Sequence, residues 1–276
     1  MDGAVLSTLF RKEVREAGRN RWLLLFGAGF TLAALAFSVL GLSGLGTFGI
    51  AGFGRTAASL LQLVMLLVPL MGLLVGAMGI ASEREHGTLL TLMAQPVTAG
   101  EVFAGKFLGH LTALSLALLI GFAASGGVIG ASGHSAQMAG FLWLAVLTLL
   151  LGAAHLGLGL WISSVTSRVS TAVGFALAAW LVLVFLSDLG VMGTAMILRF
   201  SPSQLLWIAM LNPVQAFKLG VVASLHGTLE TLGPSGRYAM EALGPAAVPV
   251  MASTLIGWIG LALGAAFWGF RRRGAL

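Results

Sequence analysis

The sequence of 276 residues is 58% hydrophobic and only 9% charged, with 15 Lys+Arg, 9 Asp+Glu and no cysteine. A soluble domain carries about a quarter charged residues, so this composition excludes a soluble enzyme, a disordered chain and a sizeable soluble domain. The missing cysteines exclude disulfides and thiolate metal sites. A net charge of +6 suits basic residues at a membrane surface, and we expect no nucleic-acid partner.

Six apolar stretches are each close to the roughly 20 residues that a helix needs to cross a bilayer. They are residues 22–42, 57–81, 108–131, 139–163, 171–187 and 247–270. The first exceeds the roughly 7–15 apolar residues of a signal peptide, so we interpret it as a retained span. The fifth could extend beyond Asp188, because residues 189–198 are again apolar. The sequence predicts an all-α membrane protein, with residues 1–276 forming one domain of six transmembrane helices.

The basic residues predict the orientation. Eleven of the 15 lie in the arm at residues 1–21, the loops after spans two and four, and the C-terminus. These segments share one side of the membrane, and the positive-inside rule makes that side cytoplasmic. Both termini are therefore expected in the cytoplasm.

The arm at residues 1–21 has the periodicity of an amphipathic helix. One face carries the apolar residues Val5, Leu6, Leu9, Phe10, Val14 and Ala17. The other face includes the basic residues Arg11, Lys12, Arg15 and Arg19. This pattern predicts an interfacial helix, with acyl chains below it and anionic headgroups beside its basic face. An ordinary basic anchor would give the same pattern.

The cytoplasmic segment at residues 82–100 is the most informative. Gly87 breaks the preceding helix, Thr88 is a candidate N-cap, and residues 89–94 can form a short helix that ends before Pro96. Such a short apolar helix outside the membrane indicates either a partner or a loop folded against its own bundle.

Two further features follow this short helix. Thr98 and Glu101 have the spacing of a capping box, which predicts a new helix leading into span three. Residues 100–106 match seven positions of a phosphate-binding loop, but Phe107 stands where Ser or Thr is required and no strand precedes the motif. We therefore expect no ATP hydrolysis by this chain.

Ionisable residues within the spans are few. His110 begins span three, His155 lies in the middle of span four, and Asp188 lies near the outer end of span five. Asp188 could face a substrate pathway or pair with Arg199, and its position near the interface explains it equally well. These residues form neither a proton relay nor a metalloprotease motif, and the 11 methionines suit packing better than a metal site.

Glycines spaced four residues apart occur in several spans and permit close contact between helices. The pairs are Gly72 and Gly76, Gly105 and Gly109, Gly126 and Gly130, and Gly260 and Gly264. We expect most of them to pack within the bundle and some to serve dimerisation.

The long external segment, residues 188–246, contains the apolar run 205–211 followed by Asn212 and Pro213. We expect a short helix in the outer leaflet that the Asn-Pro pair stops. This segment is the only external one large enough to dock a partner.

Six spans, a basic interfacial arm and the run Glu-His-Gly-Thr-Leu at residues 85–89 before a proline resemble the type-2 permeases of ATP-binding-cassette (ABC) exporters. The resemblance implies that fold and a homodimer with cytosolic ABC ATPases that bind the ATP and Mg²⁺. It makes the segment after span two a coupling helix and residues 163–170 a second cytoplasmic contact. The residues implied in ATPase coupling are Glu83, Glu85, Gly87, Thr88, Leu89, Leu90, Met93 and Arg168. Asn212, Pro213 and Asp188 are candidates for an external site or pathway.

A narrower resemblance is to the permeases of the system that matures nitrous oxide reductase. It is carried by residues 19–24, 105–110, 119–122, 188–189 and 211–213. It implies a bacterial cytoplasmic membrane, a periplasmic β-helical partner and assembly of a copper–sulfur centre. Gln215-Ala216-Phe217 departs from the pattern expected after Asn212-Pro213, which leaves the external docking detail open. A type-2 exporter of a drug, lipid or peptide is the alternative.

Overall fold

The computed structural model describes residues 3–42, 50–131, 138–186, 201–225 and 242–273. These residues are mostly helical, and among them there is no β-strand. The helices are α1 (Gly3–Ala17), α2 (Arg21–Leu42), α3 (Ile50–Glu85), α4 (Thr88–Met93), α5 (Ala99–Ala131), α6 (Met138–Val165), α7 (Val169–Leu181), α8 (Pro202–Met210), α9 (Pro213–Ser224) and α10 (Ala247–Arg273). A π-helical turn, Val182–Leu186, extends α7, and a 3-10 turn, Gly244–Ala246, leads into α10.

The predicted all-α architecture with six spans is confirmed. The helices α2, α3, α5, α6, α7 with its π turn, and α10 are each long and apolar enough to cross a membrane. The described part of the fifth span ends at Leu186. Asp188 and Arg199, for which the sequence left several interpretations open, lie outside the described residues.

Glycines bring the backbones of α3 and α6 into direct contact at the centre of the bundle. A Cβ atom on Gly76 would lie 2.4 Å from the carbonyl oxygen of Leu156, and one on Gly159 would lie 2.5 Å from that of Leu73. Small residues allow such close approach, and close packing is a main source of helix association in a membrane. The expectation that Gly72 and Gly76 pack within the bundle is confirmed.

A second glycine pair holds α1 against α5. A Cβ on Gly105 would lie 2.9 Å from the Cβ of Leu9, and one on Gly109 would lie 2.4 Å from the Cβ of Glu13. Leu9 is therefore buried against protein, as is Ala17 farther along α1. The prediction that this stripe faces acyl chains is wrong on these positions, because α5 offers an apolar surface that the backbone can approach closely.

The remaining two predicted glycine pairs differ from each other. A Cβ on Gly126 would lie 3.0 Å from the ring of Phe141, which is an internal contact between α5 and α6. Among the described residues, none has an atom within 4 Å of a Cβ added at Gly260 or Gly264. Those residues therefore leave this face of α10 uncovered.

The helices α8 and α9 form a sharp bend of 117°. The short helix ends before Asn212 and Pro213 as predicted, and Pro213 begins a second helix whose residues Phe217 and Val221 are fully buried. A Cβ on Gly220 would lie 3.0 Å from the Cβ of Met251 in α10 and 3.1 Å from Leu147 in α6. Within the segment expected on the outer side of the membrane, α9 thus packs its apolar residues between two spans, and the external placement of residues 188–246 stays a prediction.

One end of the bundle gathers the segments that the sequence assigned to a common side. Leu9 of α1, Leu89 of α4, Phe103 of α5 and Phe270 of α10 belong to one buried cluster there. Arg273 donates a hydrogen bond to the carbonyl of Val165 at the end of α6. This end, formed by α1, α4, the turn between α6 and α7 and the last turn of α10, is called the α4 end.

Candidate functional site

The last three residues of α3, immediately before the turn into α4, contact three different parts of the bundle. Glu83 contacts α1 and α5, Arg84 contacts the end of α6, and Glu85 contacts the start of α7. Any displacement of α4 therefore acts on a helix end that is connected to four neighbouring helices.

Glu83 lies in a buried ion-pair network. Its Oε1 atom accepts a hydrogen bond from Lys12 Nζ at 2.8 Å, and its Oε2 atom lies 2.8 Å from Lys106 Nζ as a close ion pair without an aligned hydrogen bond. Lys106 also lies 3.0 Å from Glu13 Oε1. The side chains of Lys106, Glu13 and Glu83 are only 1%, 3% and 11% exposed. Charges this deeply buried require close counter-ions, which each of them has.

Lys12 completes this network at its exposed edge. Partial burial disfavours its charged form, but the hydrogen bond and the charge of Glu83 outweigh burial and raise the pKa of Lys12 above its ordinary value. Lys12 also lies 3.6 Å from Glu16. The predicted headgroup contact of Lys12 therefore competes with an internal ion pair, whereas Arg11, Arg15 and Arg19 are exposed as expected.

A small cavity of about 130 Å³ adjoins the network, and Glu13, Glu16, Glu83, Lys106 and His110 line part of its wall. Oxygen atoms of the three carboxylates lie within 4.8 Å of one another. Two lysine ammonium groups already lie against these carboxylates. The protein thus supplies the positive charge that this acidic cluster requires, and the prediction of no metal ligand set stays a prediction.

Arg84 caps the end of α6. Its Nη1 atom donates to the carbonyl oxygens of Thr166 at 2.6 Å, Ser164 at 3.2 Å and Ser163 at 3.4 Å. The last carbonyls of a helix have no partners within it, and a cation there also interacts favourably with the helix dipole. The hydroxyl of Ser163 in turn accepts hydrogen bonds from the backbone N–H groups of Ile80 and Ala81.

Glu85 caps the start of α7. Its Oε2 atom accepts the backbone N–H of Val169 at 2.7 Å. Arg168 is the N-cap residue of α7 and provides no side-chain cap of its own, so the carboxylate of another helix supplies the missing acceptor. The arrangement brings Glu85 and exposed Arg168, both expected in ATPase coupling, to the same surface.

The short helix α4 forms as predicted, with one difference at its start. Gly87 adopts a left-handed conformation, with φ of 73°, and is itself the N-cap. Thr88, which we expected to cap the helix, is its first residue and donates to the carbonyl of Glu83 at 3.3 Å. Gly87 suits this position because a left-handed turn carries no Cβ penalty for glycine.

The two faces of α4 separate the two interpretations of this segment. Leu89 is fully buried against the bundle, Met93 is partly buried, and Leu90 is 57% exposed. Thr91 is exposed beside Leu90. The helix is thus fixed to its own bundle on one side and presents an apolar side chain outward on the other.

The capping box after α4 is confirmed. Thr98 donates its backbone N–H and its hydroxyl to Glu101 Oε2 at 2.9 and 2.8 Å, and the backbone N–H of Glu101 donates to Thr98 Oγ1 at 3.3 Å. These bonds fix the start of α5 and hence the return of the chain from α4 to the bundle.

At the opposite end of the bundle, Asn212 connects three elements. Its Oδ1 atom accepts the backbone N–H of Val214 at 2.8 Å, and its Nδ2 atom donates to the carbonyl of Leu183 in the π turn at 2.7 Å. Asn212 and Pro213 are both buried. Asn212 thus holds the bend between α8 and α9, and the role of both residues in an external site or pathway stays a prediction.

Sequence reasoning missed Lys106 as the common partner of Glu13 and Glu83. Glu13 lies four residues from Leu9 and from Ala17, so an acid stands within the apolar stripe of α1. Such an acid is costly to bury unless it is paired, so its position in the stripe indicated that Glu13 has a basic partner. The partner itself could not be identified, because Lys106 is 93 residues away.

A bundle of six spans with a short helix held between spans two and three has the architecture of a transporter permease. The chain belongs to the ABC-2 family: the sequence model described as ABC-2 family transporter protein matches residues 7–275. It is therefore the permease subunit of an ABC transporter.

Two full-length relatives carry the same name. The chain is 32% identical over 269 residues to the probable ABC transporter permease protein NosY of Stutzerimonas stutzeri, covering 95% of this chain and 96% of that protein. It is 34% identical over 275 residues to the probable ABC transporter permease protein NosY of Pseudomonas aeruginosa PAO1, covering 98% of each.

Proposed function

We propose that this chain is a NosY-like permease that couples a partner ATPase to maturation of the copper centre of nitrous oxide reductase. In this proposal two copies of the chain combine with two NosF-like ATPases and a periplasmic, β-helical NosD-like protein. The observation that carries it is the similarity, over at least 95% of the chain, to two proteins named NosY.

The ATPase would bind at the α4 end. Leu90 and Thr91 would face the ATPase, with Glu85 and Arg168 forming a second contact beside them. An exposed leucine rimmed by polar groups is typical of the centre of a protein interface. ATP and Mg²⁺ would remain on the ATPase, and this chain would contribute movement rather than chemistry.

The α4 end would be cytoplasmic, with both termini on that side of the bacterial inner membrane. Support comes from the basic residues of α1, of the segment around α4 and of the C-terminal turn of α10, which lie at this end. The positive-inside rule assigns such an end to the cytoplasm. The bend between α8 and α9 would then face the periplasmic partner.

Native mass spectrometry of the tagged chain, purified gently from its own host, tests the assembly. Two copies with two ATPase chains and a large periplasmic subunit are the expected result. Two copies with ATPases alone would favour an exporter of a drug, lipid or peptide. Recovery of the chain without any nucleotide-binding partner would contradict both the maturation role and the exporter alternative.

Copper analysis of nitrous oxide reductase tests the biological role separately. A strain that lacks this chain should produce reductase deficient in copper, and the unaltered gene should restore the metal content. A matched variant, Leu90→Asp, should fail to restore it although the variant reaches the membrane. Reductase with its full copper content in the deletion strain would exclude the maturation role.

A further inference from the structure

The charged residues around Glu83 lie at the base of the segment that carries α4. Glu83 precedes α4 by five residues, and Lys106 lies in the first third of α5, after the chain has returned to the bundle. Their 2.8 Å contact closes the loop formed by residues 84–105. The two ends of this loop are therefore joined by a buried pair of opposite charges.

The same pair is joined to α1. Lys106 contacts Glu13, and Glu83 contacts Lys12. The other titratable groups that face this pair among the described residues are Glu16, 3.6 Å from Lys12, and His110, whose Nδ1 atom lies 3.7 Å from Glu13 Oε2 and 2.7 Å from the carbonyl of Lys106.

Close packing leaves these charges little freedom to move apart. A Cβ on Gly109 would lie 3.1 Å from the backbone nitrogen of Val14 as well as 2.4 Å from Glu13. The backbone of α1 therefore lies directly on α5, and Glu13 is held against Lys106. A tightly packed contact of this kind switches between discrete arrangements and does not deform gradually.

We propose that Glu83 and Lys106 are positioning residues that make α1, α4 and the start of α5 move as one rigid body. This proposal rests on the proposed function for its consequence: the ATPase would displace the whole body at once, and not α4 alone. The basic residues on the exposed side of α1 would then be carried along the membrane surface in each ATPase cycle.

The absence of cysteine allows a direct test in the isolated permease. Spin labels attached at Arg15→Cys in α1 and Thr91→Cys in α4 occupy two exposed positions outside the network. Pulsed electron spin resonance then measures the distribution of distances between the two helices. With Glu83 present we expect a single narrow distribution, and with Glu83→Gln a distribution at least about twofold wider, because the helices then fluctuate separately.

Glu83→Gln is chosen because it leaves no lysine without a counter-ion. Lys106 keeps Glu13 at 3.0 Å, and Lys12 keeps Glu16 at 3.6 Å. Glu16→Gln is the matched control: it makes the same chemical change on a side chain that is 57% exposed and should leave the distribution narrow. Glu83→Asp, which retains the charge, should restore a narrow distribution.

A distribution of equal width in Glu83→Gln and in the unaltered chain would overturn the proposal. Were Glu83→Gln to misfold, Lys12→Gln would remove the contact between α1 and Glu83 while sparing the Glu83–Lys106 and Lys106–Glu13 pairs. The distribution should then stay narrow, and a broadened one would show that the buried pair does not hold the helices together.

Adding the ATPase with a non-hydrolysable ATP analogue tests the consequence. The α1–α4 distance should stay constant while both helices move relative to the first half of α10, which lies away from the α4 end, and a changed α1–α4 distance would contradict the rigid body. If no ATPase binds even the unaltered permease, the proposed function fails, whereas the comparison of widths without ATPase still decides the role of Glu83.

Discussion

The carboxylate of Glu85, at the end of α3, caps the first N–H group of α7 across a gap of 84 residues in sequence. The cap joins the turn before α4 to the turn between α6 and α7. The two segments that were expected to contact an ATPase are therefore parts of one surface, and the geometry of each depends on the other.

Removing the Glu85 cap should weaken α7. Glu85→Ala leaves the N–H of Val169 without this acceptor, and we expect a free energy of unfolding lower by about 1 kcal/mol, the usual effect of losing a helix cap. Glu85→Gln keeps an acceptor oxygen and should lose less. Chemical denaturation in detergent measures both variants, and equal losses in the two would contradict a capping role.

Charge reversal should distinguish Glu83 from Glu85. Glu85 is exposed, so Glu85→Lys should fold and insert into the membrane. The variant permease should, however, no longer stimulate the activity of the partner ATPase. Glu83→Lys would place a third cation beside Lys12 and Lys106 in a buried site, which should prevent stable folding of the α4 end. ATPase assays with size-exclusion chromatography of each purified variant separate the two outcomes. A stable Glu83→Lys protein would show that the network is dispensable.

The two adjacent leucines of α4 should behave oppositely. Leu89→Ala leaves a cavity in the buried cluster and should lower the free energy of unfolding by about 2–5 kcal/mol. Leu90→Ala should change it by less than about 0.5 kcal/mol, as surface substitutions do, yet weaken ATPase binding by more than about 1 kcal/mol if this side chain is central to the interface. Unfolding and binding titrations on the same preparations give both quantities. Unchanged ATPase affinity in Leu90→Ala would show that the ATPase does not dock on this side of α4.

The contact between α3 and α6 should not tolerate a methyl group. Gly76→Ala and Gly159→Ala place a Cβ 2.4 and 2.5 Å from a backbone carbonyl oxygen of the partner helix, and overpacking of this kind costs about 1–3 kcal/mol or more. Gly174→Ala, in the exposed face of α7, meets no atom of the described residues within 4 Å and should be neutral or slightly stabilising. Melting temperatures in one detergent compare the three. Equal melting temperatures for the three variants would contradict the close approach of the α3 and α6 backbones.

Substitutions of Asn212 should be ranked by whether they leave two oxygens facing each other without a proton. Asn212→Asp preserves the acceptor for Val214 but replaces the donor to Leu183 with an acceptor, whereas Asn212→Ala loses both bonds. In Asn212→Asp, an acceptor faces the Leu183 carbonyl, so two buried oxygens have no proton between them. This variant should therefore be less stable than Asn212→Ala, and less stable than the unaltered chain by about 1–3 kcal/mol. Unfolding titrations order the variants. Greater stability of Asp than of Ala would indicate that the cap dominates.

The sequence predicted the spans well because hydropathy depends on residues that are adjacent in the chain. The first predicted span, residues 22–42, corresponds to Arg21–Leu42, and the Thr98–Glu101 box begins α5 as expected. Local patterns of this kind require no knowledge of the neighbouring helices.

The burial of α1 and α9 could not be predicted in the same way. An apolar stripe suits lipid and protein equally, so the pattern around Leu9 did not distinguish acyl chains from α5. In α9, Gln215 and Lys218 interrupt the apolar run, which makes the segment resemble a surface loop although Gln215 is only 7% exposed. The pairing of Glu83 with Lys106 depends on two helices meeting, and sequence spacing carries no such information.

The docking of α1 on α5 has a consequence for the order of assembly. Glu13 leaves the ribosome 93 residues before its partner Lys106, and Gly105 and Gly109 are equally late. During that interval the apolar stripe of α1 lacks the surface of α5 that covers it in the folded chain. An amphipathic helix of this kind binds a bilayer surface, so we expect the arm to anchor the nascent chain first and to form one wall of the buried charge cluster afterwards.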